Sequence, residues 1–131
     1  MISFAIIGYG KIGERHAEVI SQHADAKLIG AYDIKEDRME VFENKYPGLR
    51  YYTSLEQLLD DPNLDIIVIC TPNNTHAQLS IEALQAGKNV LVEKPMAIRK
   101  IDCENMIHMS LKTGKSLFVV KQNRFNPPVQ A

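Results

Sequence analysis

The sequence comprises 131 residues, of which 45% are hydrophobic and 24% charged, and its formal net charge is -1 at pH 7. This length corresponds to one globular domain, and the composition is unlike that of a disordered chain. Because the net charge is near zero and no run of basic residues is present, nucleic acid and anionic membrane surfaces are poor candidate partners.

The sequence contains no segment that predicts export or membrane insertion. Its longest strongly apolar run, at 66–70, is far shorter than the ~20 residues that a membrane span requires. Cys70 and Cys103 have no metal-ligand spacing, which fits a reducing compartment better than a disulfide framework. We therefore expect a cytoplasmic protein without a metal site.

Short apolar segments alternate with amphipathic segments along the whole chain. The apolar segments are bounded by turn residues, as is typical of strands buried on both faces. Their alternation with helices predicts a single α/β domain with a doubly wound, mostly parallel sheet. The predicted strands are 2–8, 26–33, 50–52, 66–71, 89–93 and 117–121, of which 50–52 is the weakest.

The segments between the strands repeat apolar residues at helical spacing, which predicts helices with one buried face. Ser54 followed by Gln57 is typical of a capping box, and Gly87 and Gly114 suit helix C-termini. The predicted buried faces are Ile12, His16, Val19 and Ile20; Met39, Phe42 and Tyr46; Ala77, Ile81 and Leu84; and Cys103, Met106, Ile107, Ser110 and Leu111.

A glycine-rich loop, GYGKIG at residues 8–13, joins the first predicted strand to the first predicted helix. Gly8 permits a tight turn, Gly10 lets a pyrophosphate approach the backbone, and Gly13 lets the helix pack closely on the strand. The free N–H groups and the positive dipole end of the helix favour phosphate binding. By itself, the pattern is a weak signal and is also compatible with a plain strand-to-helix turn.

Asp33 supports the interpretation of this loop as a dinucleotide site. It ends the second predicted strand 20 residues after Gly13, where a carboxylate can accept hydrogen bonds from the adenosine ribose. Strand, loop, helix and acid together predict a Rossmann fold. A carboxylate at this position repels a 2′-phosphate and favours NAD over NADP, whereas the neighbouring Lys35 and Arg38 favour NADP.

The segment TPNNTH at residues 71–76 follows the fourth predicted strand. Its polar groups should lie at the carboxyl ends of the strands, where a doubly wound sheet holds its ligand. Thr71, Pro72 and Asn73 are thus candidates for contacts with the nicotinamide end of the cofactor. Two alternatives remain open. Asn74 or Thr75 would then serve simply as a helix cap, and His76 would be a surface or packing residue.

Polar residues also follow the last two predicted strands. Glu93, Lys94 and Pro95 end the fifth strand, where the lysine can hold a substrate hydroxyl and assist proton transfer, or can be merely solvated. Gln122 follows the sixth strand and can bind a polar substrate or the cofactor amide. The alternative there is a linker.

The remaining candidate groups have more ordinary interpretations. His16 lies on the predicted apolar face of the first helix and is expected to be a hydrogen-bonded packing residue. Cys70 and Cys103 are expected to be inert, buried thiols. His23 and His108 have no partners at ligand spacing, so the sequence predicts no metal site.

Several motifs resemble the N-terminal domain of the Gfo/Idh/MocA oxidoreductases, a family named for glucose-fructose oxidoreductase and inositol dehydrogenase. The motifs are GYGKIG at 8–13 with His16, CTPN at 70–73 with His76, and AGK at 86–88 leading into VEKP at 92–95. They occur in order over nearly the whole chain. The EKP tripeptide after a TPN turn is far more specific than the glycine loop.

The resemblance implies a nicotinamide-dependent oxidoreductase that acts on a sugar, nucleotide-sugar or cyclitol hydroxyl. It also implies that Lys94 is the catalytic residue near this hydroxyl and that Pro95 follows a cis bond. NAD is the expected cofactor and NADP the less favoured one. The predicted cofactor-binding residues are Gly8, Gly10, Lys11, Ile12, Gly13, Asp33, Thr71, Pro72, Asn73, His76, Glu93, Lys94 and Gln122.

Members of this family continue into a second α/β domain that supplies most of the substrate pocket, and a homo-oligomer would form through that domain. We therefore expect residues 1–126 to be a dinucleotide-binding domain and residues 127–131 to begin the crossover. Alone, such a domain would bind cofactor but turn over substrate poorly. The rival prediction is a dinucleotide-binding or sensing module without catalysis.

Overall fold

The computed structural model describes residues 1–120 of the chain. Within them, six strands form one sheet in which all neighbouring strands are parallel. The predicted doubly wound α/β fold is confirmed. The strands are β1 (Ile2–Ile7), β2 (Ala26–Tyr32), β3 (Arg50–Tyr51), β4 (Ile66–Ile69), β5 (Asn89–Val92) and β6 (Leu117–Val119).

Helices connect successive strands, and their ends follow the predicted signals. The Ser54 side chain accepts a hydrogen bond from the backbone N–H of Gln57 at 3.1 Å, and the Gln57 side chain accepts one from the N–H of Thr53 at 2.8 Å. Gly114 ends the last helix with a left-handed backbone. The helices of the described part are α1 (Lys11–Gln22), α2 (Glu36–Lys45), α3 (Leu55–Leu59), α4 (His76–Gln85) and α5 (Lys100–Thr113), with a 3₁₀ turn at Asn73–Thr75.

The strand order across the sheet is β3-β2-β1-β4-β5-β6. The chain runs outward from β1 to β3, then returns to the centre and runs outward again from β4 to β6. At the carboxyl ends of β1 and β4, the connections therefore diverge to opposite sides. This divergence leaves a crevice where ligands bind in open α/β sheets.

Alternate residues of the central strands face two separate cores. Ala5 and Ile7 of β1 are buried on the side covered by α3, α4 and α5. Ile6, between them, is buried on the opposite side with residues of α1 and α2. Helices thus cover both faces of the sheet, which explains why the central strands are almost entirely apolar.

The buried face of α1 differs from the predicted one. Gly13, Ala17 and Ile20 are buried, whereas Ile12 and Val19 are 40% and 60% exposed. Small residues turn toward the sheet because α1 packs very close to β1, where a larger side chain would clash. The prediction is therefore confirmed for Ile20 and wrong for Ile12 and Val19.

The prediction for α5 is also partly wrong. Met106 is fully buried, but Ile107 and Leu111 are 49% and 78% exposed, and Cys103 and Ser110 are half-buried. The reason is the position of α5, which lies beside the edge strand β6 and packs mainly on α4. Only a narrow stripe of α5 is needed for the contact with α4, so the rest of the predicted face is exposed.

The strands end earlier than predicted at their carboxyl ends. Gly8, Asp33, Thr71 and Glu93 all follow a strand instead of ending one. The backbone N–H groups of Gly8 and Glu93 still donate to the carbonyl oxygens of Tyr32 and Ile69 on the neighbouring strands. The predicted last residue of the sixth strand, at position 121, lies outside the described residues. Among residues 1–120, no helix combines the length and apolar character needed to cross a bilayer.

Candidate dinucleotide-binding and catalytic site

A cleft of about 610 Å³ opens at the carboxyl ends of the central strands. It lies at the point where the connections after β1 and β4 diverge. Its walls come from the glycine loop, the end of β2, the segment after β4 and one side of α4. Of the predicted site residues, Gly8, Gly10, Asp33, Thr71 and Pro72 line this cleft.

The glycine loop has the geometry that the sequence predicts. Gly8 has a φ of +93°, and a Cβ on Gly13 would lie 2.2 Å from the carbonyl oxygen of Gly8. Both positions therefore require glycine for the fold itself. A Cβ on Gly10, by contrast, would meet nothing within 4 Å among the described residues. The bare backbone of Gly10 thus faces open space in the cleft.

The first turn of α1 directs backbone N–H groups toward this space. The helix begins at Lys11, and no side chain of the described residues caps Gly10, its N-cap. Lys11 and Ile12 are exposed in this first turn, whereas Gly13 is buried against the loop. An uncapped helix N-terminus with open space before it is suited to bind an anion.

Asp33 connects the glycine loop to the segment after β2. Its Oδ2 accepts a hydrogen bond from the backbone N–H of Tyr9 at 2.8 Å, and its Oδ1 accepts one from the N–H of Lys35 at 2.9 Å. These bonds hold the carboxylate in the wall of the cleft. Each oxygen keeps a lone pair for a further donor, such as a ribose hydroxyl.

Two cations line the cleft close to Asp33 in the sequence. Lys35 and Arg38 both contribute to the wall, so the negative charge of Asp33 is not isolated. The carboxylate favours a free ribose 2′-hydroxyl, and the two cations favour a 2′-phosphate. The site therefore contains groups that act in opposite directions on the choice between NAD and NADP.

The TPN segment leaves β4 and forms a compact turn. The hydroxyls of Thr71 and Thr75 lie 2.6 Å apart, and the Thr75 hydroxyl donates to the carbonyl oxygen of Pro72 at 2.6 Å. Thr75 occupies the N-cap position of α4, but its side chain makes no capping hydrogen bond. The alternative that Thr75 simply caps this helix is therefore wrong. Asn73 and Asn74 line a separate cavity of about 260 Å³ beside the N-terminus of α5.

His76 is buried at the start of α4, with 1% of its surface exposed. Its Nδ1 lies 2.8 Å from the carbonyl oxygen of Pro95, and its Nε2 lies 2.9 Å from that of Thr71. The ring thus bridges the segments that follow β4 and β5. Of the interpretations left open by the sequence, burial excludes that of a surface residue.

Glu93, Lys94 and Pro95 leave β5 beside the TPN segment. The Glu93 side chain is buried, and its Oε2 lies 2.6 Å from Nε2 of His16. Lys94 is exposed, and the peptide bond between Lys94 and Pro95 is cis, as the resemblance implies. The buried Glu93 and the Pro95 carbonyl, which His76 contacts, thus lie on either side of the exposed Lys94.

The remaining predictions concern groups beneath and beside the cleft. His16 is the hydrogen-bonded packing residue that the sequence predicts, with Glu93 as its partner. Cys70 and Cys103 are half-buried and not buried as predicted. Desolvation still raises the pKa of the Cys70 thiol well above its usual range, which agrees with an inert thiol. No group of three or more potential metal ligands occurs in residues 1–120. Gln122 lies outside the described residues.

Several residues of the site were missed by sequence reasoning. Tyr9 is fully buried and packs edge-on against Phe42 with ring centroids 5.0 Å apart; burial, with the nearby Tyr46 and Glu14, raises its pKa to about 12. Gln78 and Glu82 of α4 line the cleft. The sequence does show that these two residues are four apart and so lie on one side of a helix. The same spacing occurs on any solvated helix face, so it does not identify a site.

The chain is similar to known oxidoreductases over most of its length. Residues 2–121 match the family described as oxidoreductases with an NAD-binding Rossmann fold, GFO_IDH_MocA. The chain is 35% identical over 121 residues to a myo-inositol 2-dehydrogenase from Thermotoga maritima, an alignment that covers 92% of this chain and 36% of that protein.

Solved structures show the same fold with two kinds of cofactor. The WlbA dehydrogenase from Bordetella pertussis, in complex with NADH and UDP-GlcNAcA, superposes with a TM-score of 0.91 at 38% identity, over 98% of this chain and 37% of that one. Biliverdin reductase from Synechocystis, in complex with biliverdin and NADP+, gives 0.84 at 30% identity, over 90% and 37%. The chain spans little more than a third of the length of these relatives. With its glycine loop, its Asp33 and its EKP turn, the chain belongs to the Gfo/Idh/MocA oxidoreductase family and comprises the NAD-binding Rossmann domain of that family.

Proposed function

We propose that this domain binds NAD in the cleft and that the full-length protein is an NAD-dependent dehydrogenase of a sugar, nucleotide-sugar or cyclitol hydroxyl. The observation that carries this proposal is the pairing of Gly10 and Asp33 across one cleft. Gly10 offers bare backbone to a pyrophosphate at the N-terminus of α1. Asp33 offers carboxylate oxygens to the adenosine ribose, held in place by two backbone N–H groups.

NAD is preferred to NADP because Asp33 is anchored in the wall of the cleft, whereas Lys35 is exposed. An anchored carboxylate cannot move away from a 2′-phosphate without breaking its bonds to Tyr9 and Lys35. An exposed lysine remains hydrated and attracts a phosphate weakly. Arg38 is half-buried and is the stronger opposing group.

Lys94 is the catalytic residue in this proposal. It follows β5, which pairs with β4, and the segment after β4 borders the cleft. Bound NAD supplies the hydride acceptor. In its amine form, Lys94 would hold the substrate hydroxyl and take up its proton. The carbon that bears this hydroxyl would give its hydrogen as hydride to NAD+ and become a carbonyl. The proton on Lys94 then passes to solvent.

The substrate class follows from the relatives, whose names include inositol dehydrogenases and an enzyme solved with a nucleotide sugar. Because this chain spans about a third of their length, we expect residues outside it to complete the substrate pocket. The domain by itself then binds NAD with little turnover.

Three measurements test the proposal. Calorimetric titration with NAD+ and NADP+ should show tighter binding of NAD+. The full-length protein, screened against a panel of sugars, inositols and nucleotide sugars by NADH absorbance, should reduce NAD+ with at least one of them. Lys94→Ala should lower kcat by about a hundredfold or more while the affinity for NAD+ changes little. Binding of NAD+ with no turnover of any substrate by the full-length protein would instead support the rival sensing module.

A further inference from the structure

His76 joins the two segments that border the reactive end of the site. It is the first residue of α4, and its imidazole is enclosed by the turns after β4 and β5. Both of its hydrogen-bond partners are backbone carbonyl groups, those of Thr71 and Pro95. A buried imidazole whose two nitrogens both face main-chain carbonyl groups is placed to position backbone.

The two ring nitrogens have different partners. Nδ1 faces Pro95 at 2.8 Å, and Nε2 faces Thr71 at 2.9 Å. A neutral imidazole has one N–H and donates to one carbonyl, whereas an imidazolium donates to both. In either form, the ring fills the space between the two turns and keeps them at a set separation.

Lys94 is held on both sides by such contacts. On its N-terminal side, the buried Glu93 carboxylate is bound by His16. On its C-terminal side, the carbonyl group of Pro95 is bound by His76. The Lys94 side chain itself is exposed. Its placement therefore depends on the backbone of its two neighbours.

We propose that His76 is a positioning residue that orients Lys94 toward the cofactor through the Pro95 carbonyl, and that it does not contact the cofactor itself. The inference rests on the proposed function for the part that concerns the cofactor. The geometric part, the placement of Lys94 by His76, stands on the observed contacts.

Two substitutions separate the two hydrogen bonds. The amide nitrogen of Asn lies close to the position of Nδ1 of His, and that of Gln lies close to Nε2. His76→Asn therefore keeps a donor that faces the Pro95 carbonyl and removes the contact with Thr71, whereas His76→Gln does the reverse. If His76 only stabilised the fold, the two variants would behave alike at Lys94.

Crystal structures of both variants test the geometric part. We expect the Lys94 Cα to stay in place in His76→Asn and to shift by about 1 Å in His76→Gln, a displacement large enough to impair a positioned group. A shift of the same size in both variants, or in neither, would overturn the proposal. If His76→Gln does not fold, the structure of His76→Asn is sufficient for the test, because a displaced Lys94 in that variant would overturn the proposal.

Lysine labelling in the full-length protein tests the functional part. The rate at which an amine-reactive reagent modifies Lys94 is measured by mass spectrometry with and without NAD+, with the exposed Lys100 as internal control. NAD+ should slow labelling in the wild type and in His76→Asn, and the effect should fall at least threefold in His76→Gln. Equal protection in all three proteins would contradict a positioning role. If NAD+ does not protect wild-type Lys94, the catalytic proposal for Lys94 fails, and the crystal structures still decide whether His76 positions it.

Discussion

At the scale of single residues, the three glycines of the loop have different roles. Gly8 and Gly13 are required by the fold, because of a positive φ and a close approach to backbone respectively. Gly10 has ordinary backbone angles and open space where a Cβ would be. The fold therefore does not require glycine at this position.

The first prediction follows from this difference. Gly10→Val should leave the thermal midpoint nearly unchanged but weaken NAD+ binding by tenfold or more, because the side chain would stand where the pyrophosphate approaches. Calorimetry and thermal melting measure the two effects. Gly13→Ala is the matched contrast, since its Cβ would clash with the Gly8 carbonyl and should lower the midpoint. Unchanged NAD+ affinity in Gly10→Val would contradict the assignment of this loop to pyrophosphate binding.

Asp33 carries the second prediction. Asp33→Asn removes the charge and retains an oxygen that can accept the hydrogen bond from Tyr9. The preference for NAD+ over NADP+ should therefore shrink by about tenfold, which corresponds to ~1.4 kcal/mol. Titration with both cofactors gives the ratio. Should the wild type already bind NADP+ more tightly, Lys35 and Arg38 dominate the site and the assignment of NAD is wrong.

At the scale of secondary-structure elements, buried polar pairs fix the helices against the strand ends. His16 of α1 bonds Glu93 directly after β5, and these residues are 77 positions apart in the chain. His76 of α4 similarly bonds Pro95. The turn that carries Lys94 is thus held by helices from both faces of the sheet.

The third prediction concerns the pair between α1 and the end of β5. His16→Leu removes a hydrogen-bond partner from a buried carboxylate and should lower the free energy of unfolding by about 1–3 kcal/mol. His16→Gln, which keeps a donor near the position of Nε2, should lose less. Denaturant unfolding of both variants provides the comparison. Equal losses would mean that packing, and not the hydrogen bond, accounts for the effect.

At the scale of the whole molecule, the carboxyl and amino ends of the strands have different roles. The carboxyl ends hold the cleft. At the amino ends, the buried Lys88 donates to the carbonyl groups of Asp61 and Leu64, and Asp61 accepts from the Tyr52 hydroxyl at 2.8 Å. This network ties α3 and the segment after it to the start of β5.

The fourth prediction separates the two ends. Lys88→Met keeps the length of the side chain but removes the donor to two carbonyl groups, and should lower the free energy of unfolding by about 2 kcal/mol or more. NAD+ affinity, measured at a temperature where the variant is folded, should not change. Lys27→Met, at an exposed lysine, is the control and should have little effect. A loss of NAD+ affinity in Lys88→Met would show that the two ends are coupled.

The sequence by itself determined the fold class, the six strands and the dinucleotide loop, because these depend on neighbours in the chain. Strand and helix periods are local, and the glycines act within a single turn. The separation of Asp33 from Gly13 is also informative, since one helix and one strand of ordinary length lie between them. For this reason, the cleft residues Gly8, Gly10 and Asp33 could be named in advance.

Only the tertiary structure decided which helix residues are buried and which polar groups meet. The small residues Gly13 and Ala17 face the sheet because of the close packing of α1, which hydrophobicity alone does not predict. The partners of His16 and His76 come from distant segments, and no local pattern specifies them. A polar side chain near the site can contact a ligand or hold the backbone, and its neighbours in the folded chain decide which. For His16 and His76, these neighbours are fixed when α1 and α4 pack against the turn that carries Lys94.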